Sequence, residues 1–150
     1  MKINKTVAGE RIDGFIRRCR DLGVKVTPQR VAIYRELMST GEHPSAEIIY
    51  KKVKSYYSNI SLTTIYRTLE TFEKLGIISV ANVLHDTARY DANLDHHHHL
   101  VCIVCKKVED FYDDSLANLG LSKKSIDNYK VLSYTVQING ICKNCQKRKS

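Results

Sequence analysis

Four histidines in a row, His96–His99, run into Cys102-Ile103-Val104-Cys105. Imidazole and thiolate are the side chains that transition metals bind best, so the stretch points to metal chemistry. His99 to Val104 is apolar around its cysteines and rich in β-branched residues, which predicts a strand. Alternate side chains on a strand face the same way. His97 and His99 then share one face, and His98, Leu100 and Cys102 the other. One strand can feed two different metal sites.

Cys102-x-x-Cys105 has a counterpart in Cys142-Lys143-Asn144-Cys145. Two such pairs a few dozen residues apart match a four-thiolate tetrahedral zinc site. Asn139-Gly140 supplies a turn before the second pair. Four thiolates fill the coordination sphere, so this zinc is expected to be structural. The alternative is two disulfides. No secretory signal pattern is seen at Met1-Lys2-Ile3-Asn4-Lys5, so a reducing, cytoplasmic location is expected, where disulfides are rare. Cys19, the fifth cysteine, falls in an amphipathic helical pattern and is expected to be packed.

The other histidines are His43 and His85. Imidazoles beside hard oxygen donors would make a second site, and Asp91, Asp95, Glu109 and Asp110 lie close to the run. His97 and His99 with Asp110 from the following strand is one workable arrangement. His85 and His96 read as solvated loop residues. The run resembles a purification tag in composition, but it is internal and abuts the cysteine pair.

These residues need a scaffold, and the rest of the chain describes one. The 150 residues are 43% hydrophobic and carry a net charge of +8. That length buries one or two small cores. No apolar run is long enough to span a membrane. Residues 1–91 hold a net +5 and the remainder +3, and a basic first half suits a polyanion partner.

Apolar Ile12, Phe15, Ile16, Cys19 and Leu22 recur at helical spacing, and Gly23 stops that helix. Thr27-Pro28 is a helix start, with Thr as N-cap and Pro at the first helical position. Val31, Ile33, Tyr34, Leu37 and Met38 form its inner side. Ser45 caps a third helix with Ala46, Ile48, Ile49 and Val53 inward. Ser61 caps a fourth, Leu62 to Leu75, ended by Gly76. Its other face opens with Thr63, Thr64, Tyr66 and Arg67. Hydroxyls and amides at a helix N-terminus take phosphates, and Arg and Tyr reach base edges in the major groove. Residues 77–84 read as a strand, His85-Asp86 as a turn and Ala88–Asp91 as a return strand.

The fold class is α+β: an N-terminal winged helix-turn-helix domain (residues 1–91) plus a small C-terminal α/β domain (residues 92–150). In the second domain, strands are expected at about 98–104 and 107–112. A helix capped by Asp114 or Ser115 should run through Leu116, Leu119, Leu121 and Ile126. Tyr129 to Ile138 alternates as a half-buried antiparallel strand does. This domain has more apolar face than cover, which predicts dimerisation. A dimer suits a palindromic operator.

Thr27-Pro28-Gln29-Arg30, His43-Pro44-Ser45-Ala46, Thr64-Ile65-Tyr66-Arg67-Thr68-Leu69, the His96–His99 run before Cys102-x-x-Cys105, and Cys142-x-x-Cys145 together resemble the ferric uptake regulator family. The resemblance covers residues 10 to 146 in order. It implies a homodimeric, metal-dependent repressor that binds double-stranded operator DNA. The four cysteines match the family's structural zinc. The regulatory site, for Fe(II) or Mn(II), resembles His43, Asp91, His97, His99 and Asp110; spacing alone does not pick out His43. Tyr66 and Arg67 match DNA-reading positions and Lys25 a minor-groove lysine, and Arg30, Thr63 and Thr64 fall among the DNA contacts.

Asp at both 91 and 110 is similar to the peroxide-sensing branch, in which Fe(II) directs oxygen onto a ligand histidine, here His97 or His99. The iron-sensing branch more often has Glu at such positions. It is the alternative, as an iron-responsive repressor of iron-uptake genes. A further site of some iron regulators needs an acid near Ala117 and a histidine near Tyr134, and this chain has neither. The roles of His96 and His98 stay open. An enzyme is not expected, because no nucleophile–base pair is visible and the cysteine site is closed. A zinc-ribbon RNA module would need exposed stacking aromatics, whereas most tyrosines here fall at core spacings.

Overall fold

Side chains that cap their own helices set the first elements. In the computed structural model, which describes residues 5–81, 87–122 and 126–148, α1 spans Lys5–Asp21 and ends before Gly23, at φ +69°. Such a left-handed stop favours glycine. Helix α2 (Pro28–Ser39) begins with Pro in its first turn, and Thr27 Oγ1 accepts from the Arg30 amide at 3.3 Å. Ser45 opens α3 (Ala46–Lys54) by accepting from the Ile48 amide. Ser61 opens α4 (Leu62–Lys74) by accepting from the Thr64 amide at 3.1 Å. Gly76, at φ +64°, closes α4: its amide donates to the Glu73 carbonyl, and the Ile77 amide to the Phe72 carbonyl. This satisfies carbonyls that a helix end leaves open.

The chain divides into two compact units, Met1–Leu94 and Asp95–Ser150. The first packs α1–α4 around one core. Phe15 stacks on Tyr34 with centroids 4.1 Å apart and meets Phe72 edge-on at 5.2 Å. Ile33, Ile49, Val53, Ile65, Leu69 and Cys19 fill the remainder, fully buried. Leu22, one residue past the end of α1, and Ile48 on α3, both expected inward, are 43% and 38% exposed. After α4, β1 (Ser79–Val80) pairs antiparallel with β2 (Tyr90–Asp91) in the register Ser79 with Asp91. The Ala81 amide extends the ladder to the Arg89 carbonyl. Helices followed by this ribbon form the winged helix-turn-helix. The expected strand over 82–84 and the turn at His85-Asp86 lie outside the described residues.

The second unit is a three-stranded sheet in the order β4-β3-β5. Central β3 (His98–Cys102) runs antiparallel to β4 (Val108–Phe111), placing His99 opposite Asp110. It runs parallel to β5 (Gln137–Gly140), placing Cys102 opposite Gly140. A short helix, α5 (Lys143–Lys147), follows.

Two expectations are corrected here. The predicted antiparallel strand over 129–138 is a strand only from Gln137, and it is parallel to β3. Tyr129 and Leu132 stand 79% and 85% exposed, so within one chain the alternating segment lacks apolar cover. Where the sequence predicts a helix from Asp114 through Ile126, the chain forms a 3₁₀ turn at Asp114–Ala117 capped by Asp113, is irregular over 118–122 and is helical again at Ile126, with 123–125 outside the described residues. Just past the 3₁₀ turn, the Asn118 side chain accepts from the Gly120 amide, and Gly120 at φ +57° turns the chain away. Among the described residues no helix is long and apolar enough to cross a membrane.

Candidate metal centres and nucleic-acid face

The end of β3 and the start of α5 bring four sulfurs together. Cys102 closes β3, and the chain reverses through Lys106, at φ +63°. The Lys106 amide donates to the Cys102 carbonyl, and the Cys102 amide to the Lys107 carbonyl, both at 2.9 Å. Cys142 stands just before α5, with the Cys145 amide donating to its carbonyl. The Sγ atoms of Cys102, Cys105, Cys142 and Cys145 all lie within 4.8 Å of one another, and Cys105 and Cys142 are 3.7 Å apart. Tetrahedral zinc with sulfur at about 2.3 Å needs sulfurs about 3.8 Å apart, so the set fits zinc.

The electrostatics agree with that fit. Amides of Cys142 and Cys105, aimed at the Cys102 sulfur, hold its pKa down to about 6. The Cys142 amide lies 3.3 Å from that sulfur. Cys145 donates to the neighbouring sulfurs and is buried, which pushes it up to about 12. Four thiolates this close cannot all ionise unless a cation joins them.

The start of β3 and the facing end of β4 carry nitrogen and oxygen donors. Strand alternation puts His97 and His99 on one face, with Nε2 atoms 3.1 Å apart. The register sets Asp110 beside them: its Oδ1 is 3.4 Å from His97 Nε2 and 3.7 Å from His99 Nε2. A circle through those three atoms has a radius of about 2 Å, the bond length of a first-row divalent ion to imidazole and carboxylate. His97 Nδ1 donates to the Asp95 carbonyl at 2.6 Å, which aims the Nε2 lone pair at the cluster, as outer partners of metal-bound histidines do.

The first unit holds a separate pair. His43, in the loop before α3, has Nε2 3.5 Å from Asp91 Oδ2 of β2, and both side chains are buried. The other Asp91 oxygen accepts from the Asn93 amide at 2.7 Å. Arg89 donates to the His43 carbonyl and the Tyr90 amide to the Pro44 carbonyl, so the ribbon fixes the loop. Sequence spacing missed this pair because its members sit 48 residues apart on different elements.

His96 and His98 face away from that cluster. His98 is fully buried, accepts from the Val136 amide at 3.2 Å and lies between Phe111 and Tyr134. Burial and the neighbouring His96 imidazole lower its pKa. His96 Nε2 donates to the Tyr134 carbonyl at 3.1 Å. Both histidines fasten the segment at 134–136 to β3.

At the N-terminus of α4, Thr63, Tyr66 and Arg67 are exposed, while Thr64 is half-buried with its hydroxyl 2.8 Å from that of Ser61. Lys25 is exposed in the link before α2. Arg30 donates to the Lys25 carbonyl at 2.6 Å, so its guanidinium braces that link.

The chain is similar to known proteins along most of its length. The description of the ferric uptake regulator family matches residues 21–139. The peroxide-responsive repressor PerR of Staphylococcus epidermidis is 34% identical over 136 residues, covering 91% of this chain and 91% of that protein. The solved Helicobacter pylori ferric uptake regulator, described as having three functional metal binding sites, superposes with a TM-score of 0.78 at 26% identity, over 100% of this chain and 99% of that one. PerR from Streptococcus pyogenes, studied for peroxide sensing, superposes at 0.52 with 30% identity, over 91% and 93%.

Proposed function

Because the chain belongs to the ferric uptake regulator family of metal-responsive repressors, we propose that it is a homodimer that holds palindromic operator DNA through α4 and releases it when peroxide oxidises a regulatory histidine. The observation that carries this reading is the His97, His99 and Asp110 triangle, whose edges suit a bound divalent ion. His43 and Asp91 complete the set, giving three imidazoles and two carboxylates, a donor mixture that suits Fe(II) or Mn(II). The four cysteines hold a structural zinc. The chain acts in the cytoplasm and turns over no substrate.

A ligand set drawn from both units stabilises whichever arrangement lets all five residues bind. At about a hundredfold excess over the dissociation constant, such linkage contributes about 2.7 kcal/mol, near a hundredfold change in the population of that arrangement.

Fe(II) held there would supply the electron that cleaves peroxide, which Mn(II) does not readily supply. His97 and His99 hold their rings beside that position; one peroxide oxygen added to a ring carbon, the other leaving as water, would turn the ring nitrogens into N–H groups with no lone pair to donate. Aspartates at 91 and 110, and relatives described as peroxide-responsive, support this reading over iron sensing. The experiment selects a duplex from a randomised pool with Mn(II)-loaded protein. It then measures binding with Fe(II) or Mn(II), before and after a low peroxide dose, with peptide mass analysis. The expected result is loss of binding with Fe(II) alone and one added oxygen on His97 or His99. Fe(II)-dependent binding that survives peroxide with unmodified histidines would leave an iron-responsive repressor.

A further inference from the structure

One contact of the first unit takes no part in holding metal. The Tyr66 ring on α4 is 42% exposed, and its hydroxyl has a partner on another helix. It donates to the Glu47 carboxylate on α3. Glu47 lies in the first turn of that helix, where the helix dipole favours an anion. The Tyr66 hydroxyl, the backbone amide of Glu47 itself, the Ser45 hydroxyl and, at longer range, Arg89 lower its pKa. The same hydrogen bond pushes the Tyr66 phenol up to about 12, so tyrosine stays the donor. Glu47 is therefore a fixed acceptor rather than a freely rotating surface carboxylate.

The segment that places Glu47 also carries His43. Ser45 between them caps α3 through the Ile48 amide. Arg89 donates to the His43 carbonyl and the Tyr90 amide to the Pro44 carbonyl, and Asp91 follows directly. One stretch of backbone thus holds the His43 and Asp91 pair at one end and the partner of Tyr66 at the other.

We propose that Glu47 is the positioning residue for Tyr66: it sets the direction of the ring on the DNA face and ties that direction, through residues 43–47, to the His43 and Asp91 pair. The proposal rests on the chain being a metal-responsive DNA binder. It has a signature of sign. A carboxylate near DNA repels every phosphate, whatever the sequence. An oriented Tyr66 favours only duplexes whose base edges fit it. Removing Glu47 therefore weakens specific binding and strengthens non-specific binding, whereas a simple loss of negative charge strengthens both.

The test uses the full-length Mn(II)-loaded protein, a duplex selected by it from a randomised pool, and a scrambled duplex of the same composition. Affinities are measured for wild type, E47A, E47Q, Y66F and E47A/Y66F. E47A is expected to lose about tenfold on the selected duplex and gain about twofold on the scrambled one. E47Q, whose amide oxygen still accepts from the phenol, stays within about threefold of wild type on the selected duplex. Y66F matches E47A on the selected duplex, and the double variant is no worse than either single one. The gain in affinity on adding Mn(II) shrinks in E47A and in Y66F. Y66F changes one exposed hydroxyl, so its thermal melting should match wild type and separate positioning from misfolding. Additive losses in the double variant, or equal gains on both duplexes, overturn the proposal. If wild type selects a duplex and E47A binds it equally well, the Glu47 role fails alone. If no duplex is selected, the DNA-binding reading fails and this proposal falls with it.

Discussion

The two units keep different things out of water. The first buries aliphatic and aromatic side chains, with Ile33, Ile49, Ile65, Leu69 and Phe72 at zero exposure. In the second, Val101 and Val108 are buried beside His97, His98, His99, Cys102 and Cys145, so most of what it buries can bind a metal or donate a hydrogen bond. Its large apolar side chains, Leu121, Tyr129, Val131 and Leu132, are on the surface. A core of the first kind supports itself through the hydrophobic effect. A core of the second kind needs a cation to neutralise it and a neighbour to cover it. One unit is thus stable on its own terms, and the other depends on what it binds.

Removing a zinc ligand should separate the units most sharply. Cys142→Ser leaves three sulfurs where four are needed, and structural zinc contributes about 10 kcal/mol or more to small domains of this kind. The expected outcome is loss of cooperative unfolding and of dimer for the second unit, with the helical circular dichroism of α1–α4 retained. A variant that keeps a full zinc equivalent and its dimer would break the comparison. Phe72→Ala is the converse change. It removes the ring shared by Phe15 and Tyr34 and should cost about 3–5 kcal/mol. Urea unfolding followed by helical signal reads the loss, while zinc content stays unchanged. If zinc is released in parallel, the units are not energetically independent. The smallest effect on the single chain is expected at Leu132, which is 85% exposed. Leu132→Lys should change monomer stability by less than about 0.5 kcal/mol yet shift sedimentation from dimer to monomer. A dimer that persists would place the cover elsewhere.

What could be read from the sequence was what is decided locally. The caps at Thr27, Ser45 and Ser61 bond to amides three residues on, so their signal lies within one turn. The cysteine pairs declare themselves because each is a tight turn of fixed length. Strand alternation sufficed to place His97 with His99. It did not suffice at 129–136, where the pattern reflects a surface that this chain alone does not cover. The helix expected from Asp114 is interrupted after Ala117 because the Asn118–Gly120 turn outweighs apolar spacing. His43 with Asp91, and Glu47 with Tyr66, are tertiary pairings between elements far apart in sequence. No periodicity carries such pairs; the family resemblance supplied the first, and the second exists only in the folded chain.

The parallel pairing of β3 with β5 also has a history in time. Partners in that ladder, such as His99 with Gln137, are 38 residues apart. Chains leave the ribosome at about 5–20 residues per second, so β3 waits about 2–8 seconds for its second neighbour. The first unit emerges earlier and can close its core in that interval. Throughout the wait, β3 shows one unpaired edge, and Cys102 and Cys105 lack the other two sulfurs. Each newly made chain therefore meets the cell's metals and thiols with only half of its four-sulfur set in place.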